Sequence, residues 1–246
     1  MNADHAAQLR LLDLQGTDTA LAQLAHRRAT LPEIAEVAKR DARLQELHGE
    51  TVQAETELGD VAAEQRRLEN EVDAVRTRAS RDDQRLQSGG VPAKELEGLQ
   101  HEITTLARRQ GVLEDELLDV MQRREELDTA VASLARQREE LDGERTELIA
   151  ARDATFDDID AETARRRAAR DEVAATLPTD LLTLYERARE HGGGVGAAIL
   201  RQRRCEGCHI ELSGSELASV RAAADDDVVR CDNCRRILIR TSDSGL

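Results

Sequence analysis

Aromatic residues are almost missing from this chain of 246 residues, which has one Phe, one Tyr and no Trp. A globular domain of this length ordinarily fills its interior with aromatic rings, so a single large core is excluded. Proline is scarce at three residues and methionine at two. No apolar run approaches the roughly 20 residues that span a bilayer, which excludes a membrane helix. Lysine occurs only as Lys39 and Lys94, so the basic side chains are nearly all arginine. What is present is Ala, Leu, Glu, Arg, Asp and Gln with 35% charged residues, the composition of long helices and coiled coil.

The net charge of −15 is unevenly spread. Residues 195–246 carry eight Arg against eight Asp plus Glu, so the whole excess lies on the helical part. An acidic rod repels nucleic acid and anionic membrane along its length, and its simplest use is solubility. The opening Met1-Asn2-Ala3-Asp4-His5 runs into polar helix without an apolar signal segment. A cytoplasmic, reducing location is therefore expected.

From Leu96 the seam positions step by alternating threes and fours: Leu99, Ile103, Leu106, Gln110, Leu113, Leu117, Val120, Arg124, Leu127, Val131, Leu134, Arg138, Leu141, Arg145, Leu148, Arg152, Thr155 and Ile159, weakening towards Ala169 and Val173. About eleven heptads without a skip make a coiled-coil seam, because a 3.5-residue period keeps one stripe against a partner. An upstream seam runs through Val37, Leu44, Leu47, Leu58, Val61, Leu68, Val72, Val75 and Leu86, and a weaker one through Leu14, Leu21, Leu24 and Leu31. Between the long arms lies Ser88-Gly89-Gly90-Val91-Pro92, where Gly permits a turn and Pro suits a first helical position.

The arms are nearly equal, each reaching ~125 Å at 1.5 Å per residue, so residues 1–177 read as one antiparallel helical hairpin. Its tip lies near 87–92, with a kink or restart at Pro32. Polar residues interrupt the seam at Gln65, Arg124, Arg138, Arg145 and Arg152. A turn centred on residue 90 sets Arg138 opposite Asp41 and Arg124 opposite Glu55 or Glu57. Such residues fix register at some expense of stability; the other reading is a loosened region that a partner enters.

Past Leu177-Pro178, residues 178–194 read as a short helix, Asp180–Glu190, capped by Thr179 and ended by His191-Gly192-Gly193-Gly194. The glycines lack the Gly-Lys-Ser/Thr of a phosphate loop, so they read as a helix stop and joint. Residues 195–246 then give strands at Ala197–Arg201, Val228–Arg230 and Ile237–Ile239, with Ser215–Val220 as a connection of one helical turn.

Within this last module stand all four cysteines, as Cys205-x-x-Cys208 and Cys231-x-x-Cys234. Two residues between cysteines let one tight turn aim both sulfurs at a single ion, and two such turns complete the four-thiolate tetrahedron that Zn²⁺ takes in closed structural sites. The 22 residues between the pairs slightly exceed the roughly 15–20 of the usual pattern. Cys205-Glu206-Gly207-Cys208-His209 also spells a c-type haem attachment, but that chemistry needs export and leaves the second pair unused. Two disulfides would need an oxidising compartment, and a thioredoxin-like pair a βαβ context. His209 reads as a neighbour of the site rather than a ligand. One structural Zn²⁺ is expected on Cys205, Cys208, Cys231 and Cys234. A closed four-thiolate site offers no position for water and no other constellation suggests catalysis, so no enzyme is expected.

Tyr185, the Gly-rich joint, Cys205-x-x-Cys208 and Cys231-Asp232-Asn233-Cys234-Arg235-Arg236-Ile237-Leu238 resemble the bacterial C4-type zinc-ribbon proteins with an N-terminal coiled-coil hairpin. Lys94-Glu95-Leu96-x-x-Leu99-Gln100-His101-Glu102-Ile103 is similar to the segment that follows their turn. The likeness covers essentially the whole chain; Arg235 departs from a frequent Gly, and Ile239 from a frequent Tyr. It implies a nucleic-acid-binding or regulatory adaptor, since some members are linked to RNA polymerase sigma factors or transcripts.

The expected fold is mainly α, a long coiled-coil hairpin followed by a small β zinc ribbon. The expected function is an adaptor whose ribbon meets nucleic acid or a protein of the transcription machinery while the hairpin serves as a protein-interaction arm. Arg201, Arg203, Arg204, Arg230, Arg235 and Arg236 are the candidate contacts, because the planar guanidinium fork suits phosphate. The ribbon's zero net charge, its Asp225-Asp226-Asp227 run and its lack of aromatics for base stacking argue for a protein ligand instead. The alternative function is a structural coiled coil whose ribbon only stabilises or dimerises it. A homo-oligomer is compatible with either, and no membrane partner is expected.

Overall fold

The computed structural model describes residues 1–89 and 92–246. Gly90 and Val91, in the expected turn, lie outside the described residues. Helices α1 (His5–Ala29), α2 (Pro32–Gln87), α3 (Ala93–Ala175) and α4 (Thr179–His191) precede the strands. The mainly α fold with a small β ribbon is as expected. Thr30 and Leu31 break the ascending arm and Pro32 opens α2, so the expected kink is a restart; the ring supplies a helical φ where no N–H is needed.

Two compact units divide the chain, Ala35–Ile149 and Met1–Ile34 with Ala150–Leu246. In the first, α2 and α3 pair along the predicted seams. Leu68, Val72 and Leu113 are buried together, with Val75, Leu117 and Val120 packed against them. Arg124 and Arg138, in the α3 seam, turn out to solvent, and Arg145 is half-buried.

Two of the expected pairings across the arms differ. Asp41 pairs with Arg145 rather than Arg138, and Arg124 donates to Gln65 at 3.1 Å rather than facing Glu55 or Glu57. Residues 94–98 of α3 are exposed, Leu96 among them, and burial begins at Leu99. Nearer the tip, Arg78 pairs with Glu102 and Arg109 lies 3.4 Å from Glu71, as a turn centred on residue 90 sets them. A sustained period fixes which face meets the partner and leaves the opposing residue open within a turn or two.

The second unit holds the ribbon and the helical segments around it. Its strands are β1 (Ala197–Arg201), β2 (Arg204–Cys205), β3 (Val229–Arg230) and β4 (Ile237–Ile239), in the order β2-β1-β4-β3. β1 runs parallel to β4, and the other pairings are antiparallel. The expected single turn is a nine-residue helix, α5 (Gly214–Ala222), closed by a capping box of Ser213 and Glu216. α4 begins at Thr179 with Pro178 at the cap position and no side-chain cap, so Thr179 lies inside the helix rather than capping it.

One apolar cluster joins Ala3, Leu11 and Leu14 at the start of the chain to Leu177, Leu181, Tyr185, Ala197, Ile237 and Ile239. The ribbon thus shares its core with α1 and α4. The N-terminus also extends the sheet edge: Ala3 N donates to Asp226 O at 2.7 Å and Val228 N to Met1 O at 3.0 Å. The Gly-rich joint is held too. Gly196 N donates to Gln15 Oε1 at 2.7 Å, and a Cβ at Gly196 would strike the Tyr185 ring. Only glycine permits that approach.

Candidate metal centre

The cysteines come from two turns that the sheet sets face to face. Cys205 ends β2, Cys231 follows β3, and β1 and β4 lie between those strands. His209 N donates to Cys205 O at 2.7 Å and Arg235 N to Cys231 O at 2.8 Å, closing one knuckle each. Residues 209 and 235 follow the second cysteine of each pair and have φ of 59° and 63°, the left-handed region in which the chain turns around an ion. In the first knuckle, a Cβ on Gly207 would collide with the Arg236 side chain and touch Ala198.

Cys205 Sγ lies 3.8 Å from Cys234 Sγ, Cys208 Sγ lies 3.9 Å from Cys231 Sγ, and all four sulfurs fall within 4.8 Å of one another. A tetrahedron of Zn–S bonds of ~2.3 Å has edges of about 3.8 Å, so the geometry fits one zinc ion. The chemistry of the donors fits as well. Burial pushes the Cys205 and Cys231 thiols up, so their thiolates need a cation to compensate them. Burial also opposes ionisation of Cys234, but hydrogen bonds from Arg236, Cys231 and Cys208 together outweigh it and bring that thiol down to about 7. His209 is exposed and outside the cluster, as expected. One structural zinc with four protein ligands fills its coordination and leaves no position for water.

The candidate contact arginines surround this centre unequally. Arg201, Arg203, Arg204, Arg230 and Arg235 are exposed. Arg203 Nε donates to Gly245 O at 3.3 Å, Arg230 Nε donates to Arg235 O at 2.9 Å, and Arg235 stands 4.0 Å from Asp232. Arg236 is different. It is half-buried, and its guanidinium donates to Val195 O at 3.1 Å and to Gly192 O, which commits it to the joint.

Three further residues carry the site and were missed from sequence. Arg240 is buried and donates to the carbonyls of Val220, Ala223, Ala224, Asp225 and Asp227. It closes the C-terminus of α5, where carbonyls lack helical partners. Gln15 and Asp18 are buried polar residues on α1. Asp18 accepts from Tyr185 OH at 2.7 Å and from Arg170 Nε at 2.7 Å. Burial, then the Asp18 carboxylate, raise the Tyr185 hydroxyl well above the usual tyrosine range. Their one signal in the sequence is polarity at spacing that continues the apolar face of Leu11 and Leu14.

Residues 14–193 match the CT398-like coiled coil hairpin domain and residues 204–238 the C4-type zinc ribbon domain. The chain is 40% identical over 240 residues to the uncharacterised Rv2229c protein of Mycobacterium tuberculosis, covering 98% of each. It is 34% identical over 216 residues to the uncharacterised ML1638 protein of Mycobacterium leprae, covering 87% of this chain and 91% of that one. A solved structure from Mycobacterium smegmatis is similar at 39% identity with TM-score 0.87, over 98% of this chain and 100% of that one. CT398 of Chlamydia trachomatis shares the fold at 20% identity and TM-score 0.73, over 96% and 98% of the two chains.

Proposed function

Because the chain belongs to the CT398-like coiled-coil hairpin proteins that end in a C4-type zinc ribbon, we propose that it is a non-enzymatic adaptor. The ribbon docks a macromolecule through exposed arginines, and the hairpin is the arm for a protein partner. A reducing cytoplasm suits its four thiolates.

The observation that carries this reading is backbone conformation. Among the described residues, the non-glycine residues with positive φ are Gln202, Arg203, His209 and Arg235, all in the ribbon and all exposed. Gln202 and Arg203, at 46° and 68°, form the two-residue turn between β1 and β2, a place that favours Asn-Gly. An L-residue in this region costs roughly 1–2 kcal/mol that glycine does not. Among the described residues the Arg203 and Arg235 side chains return to the fold a 3.3 Å hydrogen bond from Arg203 to Gly245 O and a 4.0 Å approach of Arg235 to Asp232, and they put fork-shaped cations beside the metal centre. Phosphate is the chemistry they match.

The test is fluorescence anisotropy of the zinc-loaded protein with labelled RNA and DNA at several salt concentrations. Phosphate contacts predict that the logarithm of affinity falls linearly with the logarithm of salt concentration. No binding at low salt removes nucleic acid as the ribbon's ligand and turns the search to proteins, beginning with the transcription machinery. The shared core of ribbon, α1 and α4 favours a second reading, in which the ribbon only closes the end of the helical part. That reading predicts that the exposed arginines are dispensable in every binding assay.

A further inference from the structure

Apart from the ribbon surface, α1, α3 and α4 enclose a cleft of about 510 Å³, within the range of small-ligand sites. Apolar residues, Leu21 and the buried Ile159 among them, line it together with Arg28, Arg167, Arg170 and Arg189. In a chain with 50 acidic residues against 35 basic ones, four arginines against the carboxylates of Asp18, Asp160 and Glu186 reverse the prevailing charge.

Two of the four are each held by two carboxylates. Arg170 and Arg189 both pair with the buried Asp18 and with Glu186, although Arg189 Nε, 3.3 Å from Asp18, makes no hydrogen bond among the described residues. The other two are held less. Arg28 stacks on Phe156 with its guanidinium 4.0 Å from the ring centroid and has Asp160 at 3.5 Å, while its Nη1 meets no acceptor. Arg167 is exposed and makes no ion pair or hydrogen bond among the described residues. Stacking presets the Arg28 fork, and Arg167 is a free cation on the opposite helix.

We propose that this cleft binds a small amphiphilic anion. Its phosphate or carboxylate sits between Arg28 and Arg167, where a planar fork gives paired hydrogen bonds, and its apolar body lies along Leu21 and Ile159. Arg28 already covers one face of the Phe156 ring, so aliphatic bodies suit the cleft better than bases that need stacking. The same head group is carried by free alkyl phosphates and by anionic lipids.

Calorimetry with n-octyl phosphate below its micelle concentration, alongside inorganic phosphate, tests the site on the full zinc-loaded chain. Saturable binding is expected for octyl phosphate, at least about tenfold tighter than for inorganic phosphate, since each buried methylene adds about 0.8 kcal/mol. Arg167→Glu is expected to weaken it at least about tenfold with an unchanged melting temperature, because Arg167 supports nothing in the fold. Co-sedimentation with phosphatidic acid vesicles distinguishes the sources: vesicle binding lost in Arg167→Glu assigns the head group to a lipid, and octyl phosphate binding without it assigns a soluble ligand. No saturable binding of either probe, or binding equal in wild type and Arg167→Glu, overturns the proposal.

Discussion

Arg240 offers its guanidinium to carbonyls alone, with no carboxylate among its partners. The carbonyls belong to the end of α5 and to the Asp225–Asp227 run, so one side chain fixes a loop that charge repulsion would open. Replacement by the apolar Met leaves these groups without donors. Arg240→Met should lower stability by about 2 kcal/mol or more, read as a shifted denaturation midpoint. Tyr185→Phe removes the hydroxyl that bonds Asp18 and Gln15, and an expected loss of about 1–3 kcal/mol shows in the same measurement. The raised Tyr185 hydroxyl has a consequence at alkaline pH. The folded state keeps a proton that the unfolded tyrosine loses near pH ~10, so this contribution is whole below that pH and declines as pH rises above it.

Among the elements, α2 and α3 were legible because a heptad is written in neighbouring residues. Positions such as Leu47, Val61, Leu68, Val72 and Leu113 are buried as their spacing required. The zinc knuckles were legible for the same reason, since Cys-x-x-Cys is local. What escaped is nonlocal. Gln15 meets Gly196 and Ala3 meets Asp226 across most of the chain, and Arg236 meets Gly192 across 44 residues; no period marks those meetings. The pairs Asp41–Arg145 and Gln65–Arg124 escaped because a period fixes the face that meets the partner and not the residue opposite.

Asp82 is a further surprise within α2. It is 6% exposed on the seam side, and its Oδ2 meets no partner among the described residues. A buried polar atom without a partner opposes folding. Asp82→Leu is therefore expected to stabilise the helical pair by about 1–3 kcal/mol, and a lower melting temperature would show that the carboxylate has a partner in solution.

At the scale of the whole molecule, metal and helices are coupled in one unit and separate in the other. Residues 35–149 form a compact unit of their own, whereas β1 and β4 of the ribbon complete the core of α1 and α4. Zinc coordination in such small sites is worth on the order of 10–16 kcal/mol. Cys231→Ser, or chelation of the metal, should unfold the ribbon and speed amide exchange in α1 and α4. Exchange within residues 35–149 should be unchanged and most helical circular dichroism kept. Collapse of the whole helical signal would refute that division.

The most direct test of the adaptor reading is the double change Arg203→Gly with Arg235→Gly in the anisotropy titration. Glycine suits the left-handed backbone of both positions, so folding and zinc content should hold or improve, and any loss is a loss of contact. The predicted result is weaker nucleic-acid binding with a salt slope lower by about two, one for each phosphate contact removed, at an equal or higher melting temperature. Unchanged affinity and slope in the double variant would contradict the account and leave the ribbon as an end-piece of the helical fold.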